Sequence, residues 1–293
     1  MPDRKPTEDE APDRKEIAGD TNRKEIVGEA ERKETEDEAL LQLPRGVALS
    51  WGIVKQGKRG PKGELSINQI VAAAIAIADQ DGLQAVSMSR VAQSLGYTTM
   101  SLYRYITSKD DLLLLMQEAV CEIPVPADES GQDWREGLRA YVRESVAVFV
   151  KHPWYGDMPI TSVPVTPNII GWIDWVLRVM RPLQLDDFEK MSIMLLLSSY
   201  ARSTGLIRRD MVNAIRAGGS PEDFMGVSMS AALKRLVKPE RYPDLYPVVM
   251  SGIYAGEREA ESTVGDDLEF GLERILDGIE QYLERRRQSN GDR

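Results

Sequence analysis

Four polar residues that can cap the start of a helix follow one another in the first half of the chain: Ser66, Ser87, Thr98 and Ser108. Each has a side-chain hydroxyl that can accept a backbone N–H from the first turn of a helix. Ser66 also has Gln69 three residues later, which is the spacing of a capping box. Apolar residues then recur at helical spacing as far as Asp81, where Gly82 ends the segment. The pattern predicts a run of short helices joined by tight turns, and therefore an all-α domain.

The second and third of these helices, expected over residues 88–95 and 99–106, have the spacing of a helix-turn-helix. Ala92 is small where the two helices must approach each other, and Gly96 lies four residues later where the chain must turn. The apolar side chains that such a motif buries are Val91, Leu95, Tyr97, Leu102 and Tyr105. Spacing alone fits an ordinary helical hairpin equally well, so the residues that flank the turn must decide.

The residues that flank the turn run Leu-Gly-Tyr-Thr-Thr-Met-Ser-Leu-Tyr-Arg-Tyr-Ile-Thr-Ser-Lys-Asp-Asp-Leu over positions 95–112. They resemble the DNA-binding domain of the TetR (tetracycline repressor/AcrR) family of bacterial transcription regulators. The positions that match the family pattern are Ala92, Leu95, Gly96, Leu102, Tyr103, Tyr105, Lys109 and Leu112. Tyr97 departs from it, because the family usually has a small aliphatic residue there. The resemblance covers about residues 66–121 and implies a three-helix DNA-binding domain.

By this resemblance, the third helix enters the major groove of DNA with its N-terminal half. The residues implied to face the bases are Thr99, Met100, Ser101 and Arg104. The residues implied to hold phosphates or flanking bases are Ser89, Arg90, Tyr103 and Lys109. A stretch with Gly and Pro before the first helix carries basic residues that would form an arm to the adjacent minor groove or its phosphates: Lys58, Arg59 and Lys62.

The distribution of charge agrees with a DNA-binding module on an acidic body. The chain of 293 residues has a net charge of −10, but residues 51–110 hold 7 basic and 4 acidic side chains. Residues 111–293 hold 21 basic and 29 acidic side chains, and residues 1–40 hold 8 and 14. An acidic protein is not an indiscriminate nucleic-acid binder, whereas a local basic module can still bind DNA.

The first forty residues form a decaying repeat that begins with Arg-Lys at positions 4, 14, 23 and 32. They hold almost no large apolar side chains to offset the entropy of an ordered chain. We therefore expect residues 1–50 to be a disordered acidic tail, followed by the DNA-binding domain over residues 51–121. A helical regulatory and dimerisation domain is expected over residues 122–287, and a frayed C-terminus over residues 288–293.

Apolar stripes at helical spacing predict further helices in the second half, over residues 132–151, 167–180, 187–209 and 268–283. Three motifs resemble a tetracycline-repressor-type C-terminal domain: His-Pro-Trp at 152–154, Thr-Pro-Asn at 166–168 and the segment 269–280. By this resemblance, the helices 187–209 and 267–286 pair with their mates in a four-helix bundle, which makes the protein a homodimer. Each helical domain then encloses a ligand cavity, and two recognition helices meet a palindromic operator about one DNA turn apart.

Six aromatic or thioether side chains are candidates to line an apolar effector cavity: Phe149, Trp154, Trp172, Trp175, Met194 and Tyr200. Each of them, taken singly, is more typical of a core residue. His152 is the only histidine, and its position beside Pro153 at a helix end favours a structural or hydrogen-bonding role. A single histidine also argues against an inducer that binds through magnesium.

The resemblance implies a ligand-responsive repressor, a homodimer that binds double-stranded operator DNA and is released by a small apolar or amphipathic molecule. One alternative is a DNA-binding regulator controlled by a protein partner instead of a small ligand. Another is a helical enzyme in which the helix-turn-helix is only a structural element. The sequence has no Gly-rich phosphate loop, no serine elbow and no His-based dyad, so we expect no catalytic residues and no enzyme.

Cysteine usage and hydropathy limit the remaining possibilities. Cys121 is the only cysteine, and no Cys/His cluster occurs, so we expect no intrachain disulfide, no metal site and no cofactor. No apolar stretch approaches the ~20 residues of a membrane span. The N-terminus is too polar for a signal peptide, and we therefore expect a cytoplasmic protein that does not bind membranes.

Overall fold

The computed structural model describes residues 40, 42–54, 65–122, 126, 133–159, 165–219, 230–252 and 267–291. Within these ranges the regular elements are all helical, as the sequence predicts, and no strand occurs. The α-helices are α1 (Arg45–Ser50), α2 (Ile67–Asp81), α3 (Met88–Ser94), α4 (Thr99–Tyr103), α5 (Lys109–Val120), α6 (Trp134–Lys151), α7 (Pro167–Val179), α8 (Asp187–Arg216), α9 (Ser230–Leu236), α10 (Leu245–Ser251) and α11 (Asp267–Gly291). Two short 3₁₀ helices cover Leu83–Ala85 and Pro153–Asp157.

Side-chain caps begin helices α2 to α5 at the predicted residues. The Ser66 hydroxyl accepts the backbone N–H of Gln69 at 3.2 Å. The Gln69 side chain accepts the backbone N–H of Ser66 at 2.9 Å, which completes the capping box. The hydroxyls of the other three caps accept the backbone N–H three residues later in the same way: Ser87, Thr98 and Ser108. The predicted helix starts are therefore confirmed.

Two apolar clusters divide the described residues into two domains. The first lies among α2 to α5, where the fully buried side chains include Ile70, Val91, Leu102, Leu112 and Met116. The second lies among α6, α7, α8 and α11, where they include Leu138, Val176, Leu197, Leu272 and Leu276. Val120 and Tyr155 pack against both clusters, so the boundary between the domains is part of both cores.

The carboxylate of Asp79, on α2 in the first domain, accepts hydrogen bonds from the second. Trp154 donates its Nε1–H to Asp79 Oδ1 at 2.7 Å, and its side chain lies in the first apolar cluster. The Nδ1 atom of His152 lies 2.9 Å from the same oxygen. The histidine thus has the hydrogen-bonding role that its sequence position predicts, in the interface between the domains.

Glycine allows α6 and α8 to pack closely. Gly205 on α8 is buried against the ring of Phe149 on α6, and a Cβ built at Gly205 would lie 2.6 Å from that ring. No side chain fits at that distance, because carbon atoms in contact are about 3.5–4.0 Å apart. The glycine therefore sets the separation of the two helices.

A ladder of arginines on α6 joins this helix to acidic residues on α11. Arg139 donates to Glu273 from Nε at 2.5 Å and from Nη2 at 2.9 Å. Arg135 donates to the same carboxylate at 3.0 Å, and Arg143 donates to Glu269 at 2.9 Å. The hydrogen bonds from Arg139, and next to them those from Arg135, lower the pKa of Glu273 to about 2.

The first helix begins earlier than the sequence predicts. Helix α1 falls inside residues 1–50, which are predicted to be disordered, yet three of its residues are buried. The backbone N–H of Gly46 donates to the Asp111 carboxylate on α5 at 2.7 Å. Just after α1, Trp51 donates its Nε1–H to the carbonyl of Val165 at 2.7 Å. The expectation is wrong for this part of the tail, because contacts with distant residues order it.

Two further details differ from the sequence expectations. Tyr97, predicted on the buried face of the helix-turn-helix, is 40% exposed, because it follows the turn at Gly96 and lies beyond the apolar stripe of α3. Helix α11 continues to Gly291, so residues 288–291 are helical where fraying was expected. The acidic repeat of residues 1–39 lies outside the described residues.

Candidate DNA interface and effector cavity

The turn between α3 and α4 presents α4 at the surface. Gly96 has a φ of 76°, in the left-handed region that favours glycine. The next residue, Tyr97, donates its backbone N–H to the carbonyl of Ala92 at 2.9 Å, which folds the chain back against α3. Leu102 on α4 is fully buried in the first cluster, so the opposite face of this short helix is directed to solvent.

The side chains predicted to face bases lie on and just after α4. Met100 is 70% exposed, and Arg104 is also exposed. Thr99 and Ser101 are half-buried. The Ser101 hydroxyl lies 2.9 Å from the hydroxyl of Thr98, so it takes part in the helix cap. Met100 and Arg104 are therefore the most accessible groups of this set.

The side chains predicted to hold phosphates surround α4. Tyr103 is 43% exposed, and Lys109 is exposed in the first turn of α5. Ser89 is exposed at the start of α3 and bonds to the Ser87 hydroxyl at 3.1 Å. Arg90 is exposed and forms an ion pair with Asp81. The three residues of the predicted arm lie outside the described residues: Lys58, Arg59 and Lys62.

A cavity of about 320 Å³ lies in the second domain. Its walls come from α5, α6, α7 and α8 and from the 3₁₀ helix that follows α6. Four aromatic residues line it: Tyr141, Phe149, Tyr155 and Trp172. The rings of Tyr141 and Trp172 meet edge to face with centroids 5.7 Å apart, and those of Phe149 and Tyr155 at 5.1 Å. This volume and aromatic lining suit a small, largely apolar molecule.

Three of the six predicted lining residues, Phe149, Trp172 and Met194, border the cavity. The other three have different positions in the fold. Trp154 is buried in the cluster of the first domain, and Trp175 is buried in the cluster of the second. Tyr200 donates its hydroxyl to the backbone carbonyl of Leu268 at 2.8 Å and so bridges α8 to α11.

Sequence reasoning missed the polar groups of the cavity. Tyr155 receives hydrogen bonds from Gln117 Nε2 at 3.4 Å and from Cys121 Sγ at 3.6 Å. Arg202 and Ser198 line the cavity from α8. Helical spacing from Met194 indicates this face, since residues 194, 198, 201 and 202 share one side of a helix. Aromatic residues taken alone do not mark this polar face of the helix.

Burial controls the ionisation of two of these groups. Burial raises the pKa of the Cys121 thiol to about 11, so the sulfur is protonated at neutral pH and is a poor nucleophile. Burial also raises the pKa of the Tyr155 hydroxyl above its usual value, and the nearby Arg202 cation opposes that rise. Both side chains are therefore neutral where they line the cavity at neutral pH.

The cavity wall is joined to the helix that supports the DNA-binding domain. Gln117 lies in the last turn of α5 and Cys121 follows its last residue, while Leu112 and Met116 on the same helix are buried in the first cluster. The carbonyl of Cys121 accepts the Nε1–H of Trp172 at 2.9 Å. A molecule that binds in the cavity therefore contacts the C-terminal end of α5 directly.

Apolar side chains remain exposed on α8 and α11. On α8 they include Phe188, which is 82% exposed, Leu195 at 66%, Leu196 at 48% and Ile207 at 58%. On α11, Phe270 and Tyr282 are each 46% exposed. Exposed apolar residues on two adjacent long helices are typical of a surface that another protein covers.

Two absences hold for the residues that the structure describes. No group of three or more His, Cys, Asp or Glu side chains is placed to hold a metal ion. None of the described helices combines the length and the apolar character that crossing a membrane requires.

A helix-turn-helix with accessible side chains, joined through one helix to a helical domain with a cavity, defines a class of DNA-binding regulators. Residues 70–116 match the family model for bacterial regulatory proteins of the tetR family. Residues 125–283 match the model for the tetracyclin repressor-like C-terminal domain. The chain therefore belongs to the TetR family of bacterial transcription regulators, and it is a DNA-binding regulator and not an enzyme.

Individual relatives agree with this assignment. The chain is 33% identical over 249 residues to the HTH-type transcriptional repressor DrrR1 of Streptomyces coeruleorubidus, covering 84% of this chain and 88% of that protein. It is similar in structure to apo ActR of Streptomyces coelicolor, with a TM-score of 0.59 and 26% identity over 75% of this chain and 96% of that one. ActR in complex with actinorhodin gives a TM-score of 0.60 and 25% identity over 74% and 96% of the two chains.

Proposed function

We propose that this protein is a homodimeric repressor that binds a palindromic operator and releases it when a small apolar or amphipathic molecule enters the cavity. The observation that carries the proposal is the position of α5. One end of this helix packs in the core of the DNA-binding domain, and the other end forms part of the cavity wall. A ligand that favours one position of α5 therefore changes DNA affinity by its differential binding energy.

The exposed face around α4 supports operator recognition. The proposed base contacts come from Thr99, Met100, Ser101 and Arg104, with the thioether packing on thymine methyl groups and the guanidinium reaching guanine or phosphate. The proposed phosphate contacts come from Ser89, Arg90, Tyr103 and Lys109, with the arm Lys58, Arg59 and Lys62 beside them. The proposed target is double-stranded operator DNA, and we therefore propose that the protein acts in the bacterial cytoplasm.

The apolar faces of α8 and α11 support the homodimer. Two copies that pair these helices bury both sets of exposed side chains at once, in an isologous four-helix bundle. The dimer carries two copies of α4, and two-fold symmetry then requires an operator with two inverted half-sites.

The relatives support repression and a small effector. The similar protein of S. coeruleorubidus is named a transcriptional repressor, and ActR has been crystallised with actinorhodin and with (S)-DNPA. The aromatic lining of the present cavity suits planar aromatic molecules. By analogy, we infer that the effector is a small molecule and that DNA binding represses transcription.

Selection of bound DNA from a random pool, followed by a small-molecule release screen on the selected sequence, tests this proposal. We expect an inverted repeat whose half-sites lie about one helical turn apart, or a multiple of it. We expect the releasing compounds to bind one per protomer. A selected site without inverted symmetry contradicts the dimer, and release only by a protein contradicts the effector cavity.

A further inference from the structure

Arg202 brings a positive charge to the wall of a largely apolar cavity. Its guanidinium lies 5.7 Å from the centroid of the Phe149 ring, and its Nη2 donates to the carbonyl of Gly156 at 3.2 Å. Among the residues that the structure describes, no carboxylate lies within 4.0 Å of it. A guanidinium has five N–H donors, so most of those on Arg202 are available to a molecule in the cavity.

Another half-buried arginine of α8, Arg209, differs from Arg202 in having acidic partners. Arg209, two turns further on, pairs with Asp157 and with Asp210, each at 2.8 Å. Arg209 is therefore balanced by acidic neighbours, whereas Arg202 contacts a backbone carbonyl and a ring face. A cation in apolar surroundings without a counter-ion is costly, and an anionic ligand removes that cost.

Tyr155 brings a second candidate donor to the cavity wall. The Tyr155 oxygen accepts hydrogen bonds from Gln117 and Cys121, which leaves its own proton for an acceptor on a ligand. Tyr155 and Arg202 both line the cavity, Arg202 bonds to the carbonyl of the residue after Tyr155, and its charge is near enough to oppose the rise in the pKa of the Tyr155 hydroxyl. Other hydroxyls are satisfied within the protein: Tyr141 bonds to Ser198 at 2.8 Å, and Ser198 donates to the Met194 carbonyl.

We propose that the effector is an aromatic anion whose ionised oxygens pair with Arg202 and accept the Tyr155 hydroxyl, while its ring packs against Phe149 and Trp172. This inference rests on the proposed function, because it names the chemical class that the effector cavity selects. A carboxylate, sulfonate or acidic phenol on a planar ring meets the requirement. A neutral compound of the same shape leaves the guanidinium unpaired and binds less well.

Two fluorescent probes that differ only in the presence of an anionic sulfonate group test the proposal. Anilinonaphthalene sulfonate is an aromatic anion, and N-phenylnaphthylamine has the same rings without the sulfonate. The variants are Arg202→Gln, which removes the charge, Arg202→Lys, which keeps it, and Arg216→Gln, a control at the exposed C-terminal end of the same helix. Binding is measured by fluorescence titration of the full-length protein.

We expect the wild type to bind the anionic probe more tightly, and Arg202→Gln to weaken that probe by about tenfold while changing the neutral one less than twofold. Arg202→Lys should keep part of the affinity, and Arg216→Gln should change neither probe. Added salt should weaken only the anionic probe in the wild type, which tests the charge even if a variant fails to fold.

Four results overturn the proposal. Equal losses for both probes in Arg202→Gln mean that the arginine only shapes the cavity. An unchanged affinity for the anionic probe means that the charge is not used. If neither probe binds saturably, the cavity is not an effector site, and the proposed function fails together with this inference. Tight binding of the neutral probe alone overturns the anionic class but keeps the proposed function.

Discussion

Glu118 on α5 caps the N-terminus of α7, a helix to which it does not belong. Its two carboxylate oxygens accept the backbone N–H of Asn168 at 2.9 and 3.1 Å. The Asn168 side chain donates in return to the carbonyl of Glu118 at 2.9 Å. Thr166, which precedes α7 in the position of its cap, makes no side-chain capping bond. The carboxylate from α5 therefore takes the place of a local cap, and it ties a cavity wall to the helix under the DNA-binding domain.

The first prediction concerns this cap. Replacing Glu118 by Ala should reduce the factor by which an effector from the release screen weakens operator binding, by about five- to tenfold, because coupling energies are typically 1–3 kcal/mol. Effector affinity should change less, since Glu118 does not line the cavity. DNA-binding titrations with and without effector measure the factor. Glu122→Ala, at an exposed position just after α5, is the control. Equal coupling in both variants would show that the cap is only structural.

The second prediction concerns Lys109, exposed at the start of α5. Replacing it by Ala should weaken binding to all DNA sequences about equally and lower the slope of log affinity against log salt by about one unit. Titrations of cognate and random DNA over a range of salt concentrations measure both. Lys190→Ala, in the first turn of α8, should leave the slope unchanged. A loss confined to cognate DNA would mean that Lys109 reads bases.

The third prediction compares two glycines inside helices. Gly205→Ala should lower the free energy of unfolding by about 1–3 kcal/mol, because the added methyl forces Phe149 out of its place. Gly171→Ala on α7 has nothing within 4 Å of the new Cβ and should raise that energy by about 0.5–1 kcal/mol through helix propensity. Denaturant unfolding at one protein concentration measures both. Similar changes in the two variants would refute the close packing of α6 and α8.

The fourth prediction concerns acid stability. The pKa of Glu273 is about 2 in the folded protein against an ordinary value of 4.5, so its ion pairs stabilise the fold above pH 4.5. That contribution is lost as the pH falls from 4.5 towards 2. Glu273→Gln should therefore have a lower Tm than the wild type at pH 7, and the gap should narrow as the pH falls through this window.

Thermal melts between pH 7 and pH 3 measure the gap. The control is Glu284→Gln, an exposed position on α11 outside the arginine ladder. Its Tm should follow that of the wild type at every pH. A gap for Glu273→Gln that stays constant down to pH 3 would show that the loss comes from packing and not from charge.

The fifth prediction concerns the proposed homodimer. Leu196→Asp places a charge on the exposed apolar face of α8 and should convert the dimer to monomers, with loss of operator binding. Met100→Asp changes an exposed apolar residue on α4 and should abolish DNA binding while the dimer persists. Sedimentation equilibrium distinguishes the two effects. A Leu196→Asp variant that remains dimeric would place the interface elsewhere.

The sequence predicts those features of this protein that depend on neighbours along the chain. The caps at Ser66 and Thr98 are local hydrogen bonds, and helical spacing marks Leu102 as a buried residue. The helix-turn-helix follows from them, together with the family pattern around it. These features need no knowledge of the tertiary structure.

The cavity could be predicted only in part, because its walls come from segments far apart in sequence. Trp154 and Trp172 look alike in sequence, yet one fills the core of the DNA-binding domain and the other borders the cavity. Tyr155 reaches the cavity from a 3₁₀ helix that periodicity does not mark. Helix α1 is ordered by Asp111, more than sixty residues away. Whether such a residue lies in a core or borders the cavity depends on contacts between distant segments, which only the three-dimensional structure shows.

Val120 and Tyr155 pack in the cores of both domains, and this shared wall has a thermodynamic consequence. Neither domain can open fully without exposing apolar surface of the other, so the two should unfold as one cooperative unit. Ligand binding stabilises whatever folds together with its site. A molecule bound near Tyr155 should therefore protect the helix-turn-helix from unfolding, even though, by the proposed function, it lowers the affinity of that motif for DNA. Binding of the proposed effector would therefore raise the Tm of the DNA-binding domain together with that of the domain that holds the cavity.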